Sequence, residues 1–192
     1  MNEPAGHFFL AVPLPDPERE RLSQQAQSLK RELPYKHWPD PRDYHVTLAF
    51  LGAAGFQKIN ETKQAVARAV EHCIPFSMAL NGLGTFGKTE QPRVLWAGVD
   101  ADSPLHDLQR SVHGACQSVG FELDKRPYRP HITLAKKWSG PETLDRTILT
   151  SGLQSDPWQV KAIVLYQTHL QRTPRYQPLK FFPLAADKKD TR

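Results

Sequence analysis

Cysteine is scarce: Cys73 and Cys116 are the only two in 192 residues. That is too few for a disulfide framework, and both fall in helix-patterned segments where burial in an apolar face is the expected fate. No run approaches the roughly 18–20 continuous apolar residues that a membrane span needs. The longest apolar run near the N-terminus, Phe8–Val12, follows Glu3 rather than a basic segment and is too short for a signal core. Export is therefore not expected, and a reducing cytoplasm is the expected compartment. C-x-x-C and H-x-x-x-H spacings are also missing. A zinc site built from His45, His131 and a cysteine would lack its usual ligand spacing, so no metal is expected. Nothing in the pattern calls for a cofactor or an obligate protein partner.

What is present is an ordinary globular composition, 39% hydrophobic and 23% charged, with a mean hydropathy of −0.54. The net charge is +5, and it is unevenly placed. Residues 125–192 hold thirteen Lys and Arg against five acids, whereas residues 1–124 are net negative. Such a bias suits an anionic ligand, phosphate being the commonest. A solvated basic face accounts for it equally well, and residues 187–192 read as a soluble tail.

The segments His45-Val46-Thr47-Leu48-Ala49 and His131-Ile132-Thr133-Leu134-Ala135 differ only by a Val/Ile exchange and lie 86 residues apart. Shifting the chain by 86 superimposes Leu22, Ala26, Leu29 and Leu33 on Leu108, Val112, Ala115 and Val119. Those four positions make one face of an amphipathic helix, written twice. The shift also lays Phe8–Val12 over Val94–Gly98 and Asp16 over Asp102. Asp16-Pro17 and Ser103-Pro104 both read as an N-cap followed by proline, with Pro34 and Gly120 as the two stop signals. Helices are then expected over Gln57–His72 and Pro141–Leu149, and strands over Phe76–Leu83 and Val160–Leu170. An added strand, Tyr176–Leu184, is expected to pair with the preceding one as a hairpin. The pattern predicts an α+β fold in one bilobal domain, with copies at about residues 7–83 and 93–170 and a seam at Gly84–Pro92. Its strand-helix-strand-helix-strand halves would form two pseudo-twofold-related lobes, with antiparallel sheets flanking a central groove.

In a strand, alternate residues share a side. His45 and Thr47 are thus expected on one face with Val46, Leu48 and Phe50 on the other, and His131 and Thr133 opposite Ile132 and Leu134. A polar pair on an otherwise apolar strand must meet water, a partner or a ligand, since an unpaired buried donor or acceptor costs about 1–3 kcal/mol. In a twofold arrangement the two faces look at each other across a groove holding two imidazoles and two hydroxyls. That set suits metal-free hydrolysis of a phosphodiester. One neutral imidazole takes a proton from water, the other donates to the departing oxygen, and hydroxyls with nearby cations hold the nonbridging oxygens. The other six histidines lack such pairing and are expected to be solvated.

With those residues in place, the chain resembles the two-histidine (2H) phosphoesterases. Within them it is most similar to the bacterial RNA 2′,3′-cyclic phosphodiesterases, historically called 2′-5′ RNA ligases. The resemblance rests on Phe8–Pro15, Tyr44–Gly52, Arg93–Trp96, Arg126–Ala135, Leu165–Leu170 and Tyr176–Leu179 in that order. It implies a metal-independent hydrolase that opens 2′,3′-cyclic phosphodiesters at RNA 3′ ends to 2′-phosphates, with a weak reverse 2′-5′ ligation as companion. By the same resemblance His45 is the proton donor to the leaving 3′ oxygen, His131 the base on water, and Thr47 and Thr133 the phosphate ligands. Phe9 and Tyr128 are the candidates for stacking on a base. Members of the group often carry arginine three residues past the second threonine. Here that position is Lys136, which keeps the charge but loses the bidentate fork. Strict alternation from His131 would put Lys137 on the catalytic face instead, unless the strand bends after Ala135. Two other readings stay open: a module that binds a nucleotide or RNA end without turnover, and an enzyme for a different small cyclic phosphodiester.

Overall fold

Both His-x-Thr segments begin antiparallel strands, and the two copies of the repeat build two sheets. The computed structural model describes residues 6–100, 103–150 and 152–185; the expected tail 187–192 and Asp102 lie outside them. In chain order the strands are β1 (Gly6–Pro13), β2 (Tyr35–His37), β3 (His45–Ala54), β4 (Phe76–Gly87), β5 (Pro92–Asp100), β6 (His131–Trp138), β7 (Trp158–Val160), β8 (Ala162–Thr168) and β9 (Tyr176–Pro183). The helices are α1 (Asp16–Glu32), α2 (Phe56–Val70) and α3 (Ser103–Ser118). One sheet has the order β3-β1-β8-β9 and the other β2-β6-β5-β4-β7. β4 and β8 thus each lie in the sheet nucleated by the other copy's His-x-Thr strand, and the seam residues Gly84–Pro92 are mostly strand, β4 pairing with β5 as a hairpin. The expected strand Val160–Leu170 divides at Lys161: β7 joins β4 in one sheet, and β8 joins β1 and β9 in the other.

The inner faces share one contiguous core, in which Leu10, Val12, Val46, Leu95, Ala97, Ile132 and Leu134 from the sheets meet Leu22, Val66, Leu108 and Val112 from the helices. Each such large side chain removed from water contributes about 1.5–3 kcal/mol. The helical repeat holds at Leu22/Leu108 and Ala26/Val112. At the next turn Cys116 rather than Ala115 is fully buried, whereas Cys73 lies half-buried in the turn after α2. Among the described residues no helix is long and apolar enough to cross a membrane.

Two expectations about the helices change and one holds. Asp16 is the first residue inside α1 rather than its N-cap: Pro15 occupies the cap, and the Asp16 side chain makes no capping bond. The α3 end is a Schellman motif as its glycine suggests, with Phe121 N–H donating to Cys116 O, Gly120 N–H to Gln117 O, and Gly120 at φ +82°. The helix expected over Pro141–Leu149 is absent. Only a 3-10 turn, Arg146–Thr150, forms there, its start held by the Asp145 carboxylate accepting from Thr147 N–H and Oγ1–H. The Leu144 N–H donates to the Glu90 carbonyl, and the Gly140 and Pro141 carbonyls accept from the Gln91 amide, so backbone groups that a helix would use are spent on the β4–β5 turn.

Candidate active site

Each histidine opens its strand, and the residue two positions earlier fixes its ring. His45 Nδ1 lies 2.7 Å from the Asp43 carbonyl and His131 Nδ1 2.7 Å from the Arg129 carbonyl. A carbonyl only accepts, so Nδ1 carries the proton in both rings and Nε2 is the nitrogen left for chemistry. Thr47 Oγ1, 3.1 Å from His45 Nε2, donates to it. The Asp43 side chain is buried, and its two oxygens accept from the N–H groups of Arg175 and Tyr176 at 2.9 and 3.1 Å. One residue thereby sets the His45 tautomer and ties the β8–β9 turn against the groove. The carbonyl of Thr47 accepts from the Tyr128 hydroxyl at 3.0 Å, strapping the segment before His131 onto the first motif.

Strand alternation does not survive either motif, and the break decides which residues reach the groove. Pairing partners skip Leu48 in β3 and Leu134 in β6, a β-bulge at the same place in both copies. After each bulge two consecutive residues face inward, Leu48-Ala49 and Leu134-Ala135, and the phase inverts. Phe50 is therefore not in the core as alternation predicted. It is 68% exposed, 5.9 Å from Phe9. By the same inversion Lys136, not Lys137, comes to the His131 side, near enough that its charge bears on both imidazoles. Phe50 and Lys136 are separated by the 86-residue period: the two copies place an aromatic ring and a cation at equivalent points. The first strands of the copies follow an 85-residue offset instead, since Leu10 pairs with Ala49 as Leu95 pairs with Ala135.

The aromatic surroundings divide along the same line. His45 lies on Phe9 (centroids 4.7 Å apart), edge-on to Tyr176 at 5.2 Å and 6.2 Å from Tyr166. Phe9 itself is only 2% exposed. It is the floor under the imidazole rather than a free stacking surface, because Tyr166 and Tyr176 pack on it at 5.2 and 4.7 Å. Tyr128 is committed as well, its hydroxyl to Thr47 and its ring edge-on to His106 at 5.4 Å. The open aromatic surface belongs to Phe50, which sequence reasoning put in the core. With Phe8, Phe9, Leu170 and Tyr176 it lines a cavity of about 310 Å³ at the His45 end. His131 has Phe86 edge-on at 4.8 Å and Trp96 at 6.2 Å. The Trp96 indole lies where a Cβ on Gly84 would stand, so only glycine admits it.

Both imidazoles are held below their ordinary range. Burial, reinforced by the positive charge of Lys136 and by His131, takes His45 down to about 4 against the donated bond to Asp43. Burial and Lys136 lower His131 in the same direction. Lys136 is in turn lowered by burial and by the neighbouring charges of Arg175 and Arg93. Both rings are thus neutral near pH 7 against the protein's own charges, facing a cationic patch that calls for an anion. Among the described residues no three His, Cys, Asp or Glu side chains converge to hold a metal ion. Asp43, Phe50, Tyr176, Arg93 and Arg175 escaped sequence reasoning. The repeat itself would have nominated Phe50, as the counterpart of Lys136.

Residues 10–172 match the family model of the 2′-5′ RNA ligase superfamily. The chain is 41% identical over 93% of its length to a Geobacillus stearothermophilus protein named RNA 2′,3′-cyclic phosphodiesterase, of which it spans 57%. It is 33% identical to a Bacillus subtilis protein of the same name over 93% of this chain and 97% of that one. Among solved structures, E. coli LigT complexed with 3′-AMP has the same fold, with a TM-score of 0.79 at 24% identity over 95% of this chain and 99% of that one. A Thermus thermophilus protein superimposes with a TM-score of 0.78 at 25% identity, covering 93% of this chain and 97% of that one.

Proposed function

The chain belongs to the 2′-5′ RNA ligase superfamily, and we propose that it is an RNA 2′,3′-cyclic phosphodiesterase that opens the cyclic phosphate of an RNA 3′ end to a 2′-phosphate in the cytoplasm. Support comes from the names of its relatives and from a groove with two imidazoles, each held through Nδ1–H by a backbone carbonyl, with Nε2 the proton-accepting nitrogen and that of His45 bonded to Thr47 Oγ1.

The observation that carries the mechanism is the unlike character of the two ends. In an in-line displacement the attacking water and the leaving oxygen lie on opposite sides of phosphorus. The ester oxygen that leaves belongs to the nucleoside, so the nucleoside lies on the side of the acid. The apolar cavity of Phe50, Phe9 and Tyr176 adjoins His45, whereas the His131 side carries Lys136. His45 is accordingly the proton donor to the 3′ oxygen, and His131 takes the proton from water. Thr47, Thr133 and Lys136 hold the nonbridging oxygens and offset the charge they gain as the P–O3′ bond breaks. Phe50 provides the face on which the base stacks, with Phe9 as the floor beneath His45.

The test is hydrolysis of a nucleoside 2′,3′-cyclic phosphate and of a short RNA ending in one, with EDTA present and the 2′- and 3′-phosphate products resolved. A 2′-phosphate product that disappears in both His45→Ala and His131→Ala is the expected result. Near-normal rates in either variant overturn the two-histidine mechanism, and binding of both substrates without turnover reduces the site to recognition.

A further inference from the structure

Beside the Lys136 end of the catalytic groove lies a second cavity that shares two pseudo-twofold positions with the apolar one. It measures about 490 Å³ and is lined by Lys88, Gln91, Arg93, Lys137, Trp138 and the Ser139-Gly140 turn. The strand registers establish the correspondence. Phe9 pairs with Phe50 as Val94 pairs with Lys136, which makes Arg93 the counterpart of Phe8. Trp138 stands one 86-residue period after Gly52. Lys88 follows Gly87, which pairs with Pro92 at the end of β5 as Thr168 pairs with His7 at the end of β1. Lys88 thus stands at the place of His169, and where the first copy lines its cavity with Phe8 and Gly52 the second lines this one with Arg93 and Trp138.

Two features indicate that the charges are directed at a ligand. Among the described residues, Lys88, Arg93 and Lys137 take no part in an ion pair, although the Glu142 carboxylate stands against Gly140 at the rim. Lys137 is also the one non-glycine described residue with positive φ, +65°, a conformation that L side chains rarely adopt. Successive lysines thereby serve two places, Lys136 the catalytic groove and Lys137 this cavity. Arg93 joins them, since it lines the cavity and its charge bears on Lys136.

We infer that this cavity binds internucleotide phosphates of single-stranded RNA on the side from which the nucleophile approaches phosphorus. The inference rests on the function proposed above. A base-binding cavity at one end, the reacting phosphate in the middle and a cationic cavity at the other end match the alternation of aromatic and anionic groups in RNA and in no neutral ligand. The phosphates come either from the strand that bears the cyclic end, curving back over the groove, or from a second strand approaching by its 5′ end.

The experiment compares the protein with its Lys88→Glu/Lys137→Glu double variant in three assays: a nucleoside 2′,3′-cyclic phosphate, a short RNA ending in a cyclic phosphate, and the nucleoside substrate with a short RNA of plain hydroxyl ends as inhibitor. If the strand is the substrate's own, the RNA substrate has a KM about tenfold or more below that of the nucleoside. If it is a second strand, the plain RNA inhibits. In either case the variant loses the effect while nucleoside kcat/KM stays within about twofold, and the log–log salt dependence of the RNA effect falls by about 0.7 per lysine. No RNA effect in either arm, or one that persists in the variant, overturns the inference. Absence of nucleoside turnover in the unmodified protein would instead count against the proposed function. Direct titration of the plain RNA against both forms then tests the cavity independently.

Discussion

His45→Ala separates the acid from the base when it is assayed on two leaving groups. Against the protein's own charges His45 titrates at about 4, so at pH 7 only about one molecule in a thousand carries the proton it must donate. The substrate makes up this deficit. A phosphodiester monoanion about 4 Å from Nε2, at an effective dielectric of about 20, favours the imidazolium by about 4 kcal/mol. That is about three pKa units at 1.36 kcal/mol each, which returns His45 to near 7 when the phosphate is bound. Its general-acid contribution is then about 10²–10⁴-fold, or about 2.7–5.5 kcal/mol of barrier. A nucleoside 3′-(4-nitrophenyl) phosphate expels a phenolate that needs no proton, although it still needs water to be deprotonated. His45→Ala should therefore lose about 10²–10⁴-fold on the cyclic phosphate and under about tenfold on the nitrophenyl ester. His131→Ala should lose comparably on both. Steady-state rates on the two substrates read this out, with thermal unfolding confirming that each variant folds. Rescue of His131→Ala by the nitrophenyl ester would exchange the roles, and equal losses in all four combinations would refute separate acid and base roles.

Further outcomes follow from the same geometry. Because both imidazoles are lowered from 6.5, the bell for kcat/KM, which reports the free enzyme, should centre below about pH 6.5. Lys136→Met removes a charge that lowers both rings, so both limbs should move to higher pH while kcat/KM falls by roughly 100-fold; unmoved limbs would show that Lys136 does not act on the imidazoles. Phe50→Ala should raise the KM for a nucleoside cyclic phosphate about 5- to 150-fold, the equivalent of about 1–3 kcal/mol of stacking, with little change in stability because the ring is exposed; an unchanged KM would remove the base platform. Asp43→Asn weakens the acceptor for two backbone N–H groups and should cost about 1.5–3 kcal/mol per charged hydrogen bond lost, measured by urea unfolding. For stability, a lowered folded pKa means that the unfolded chain binds more protons below pH 6.5. The contribution of the neutral His45 is complete above about 6.5 and lost as pH falls toward about 4. Tm should accordingly drop less steeply over that window in His45→Gln than in the unmodified protein.

The repeat, both His-x-Thr strands, the faces of α1 and α3, and the chemistry that a duplicated imidazole–hydroxyl pair can do are all readable from the residues in order. These were legible because each depends on a local period: 3.6 residues along a helix, two along a strand, and 86 between copies. The rest depends on contacts between segments far apart in the chain. The bulges at Leu48 and Leu134 arise from pairing with β1 and β5, partners far along the chain, and a strand's own alternation carries no trace of them. They exposed Phe50 and chose Lys136 over Lys137. The segment Pro141–Leu149 failed as a helix because its first backbone groups bond to Glu90 and Gln91, about fifty residues away in the chain, instead of to one another. Phe9 and Tyr128 were expected as stacking surfaces, but three-dimensional neighbours had already used them, as the floor of His45 and as the strap on Thr47. Long-range pairing also set the unlike ends of the groove, one aromatic and one cationic, which two nearly identical five-residue motifs could not announce.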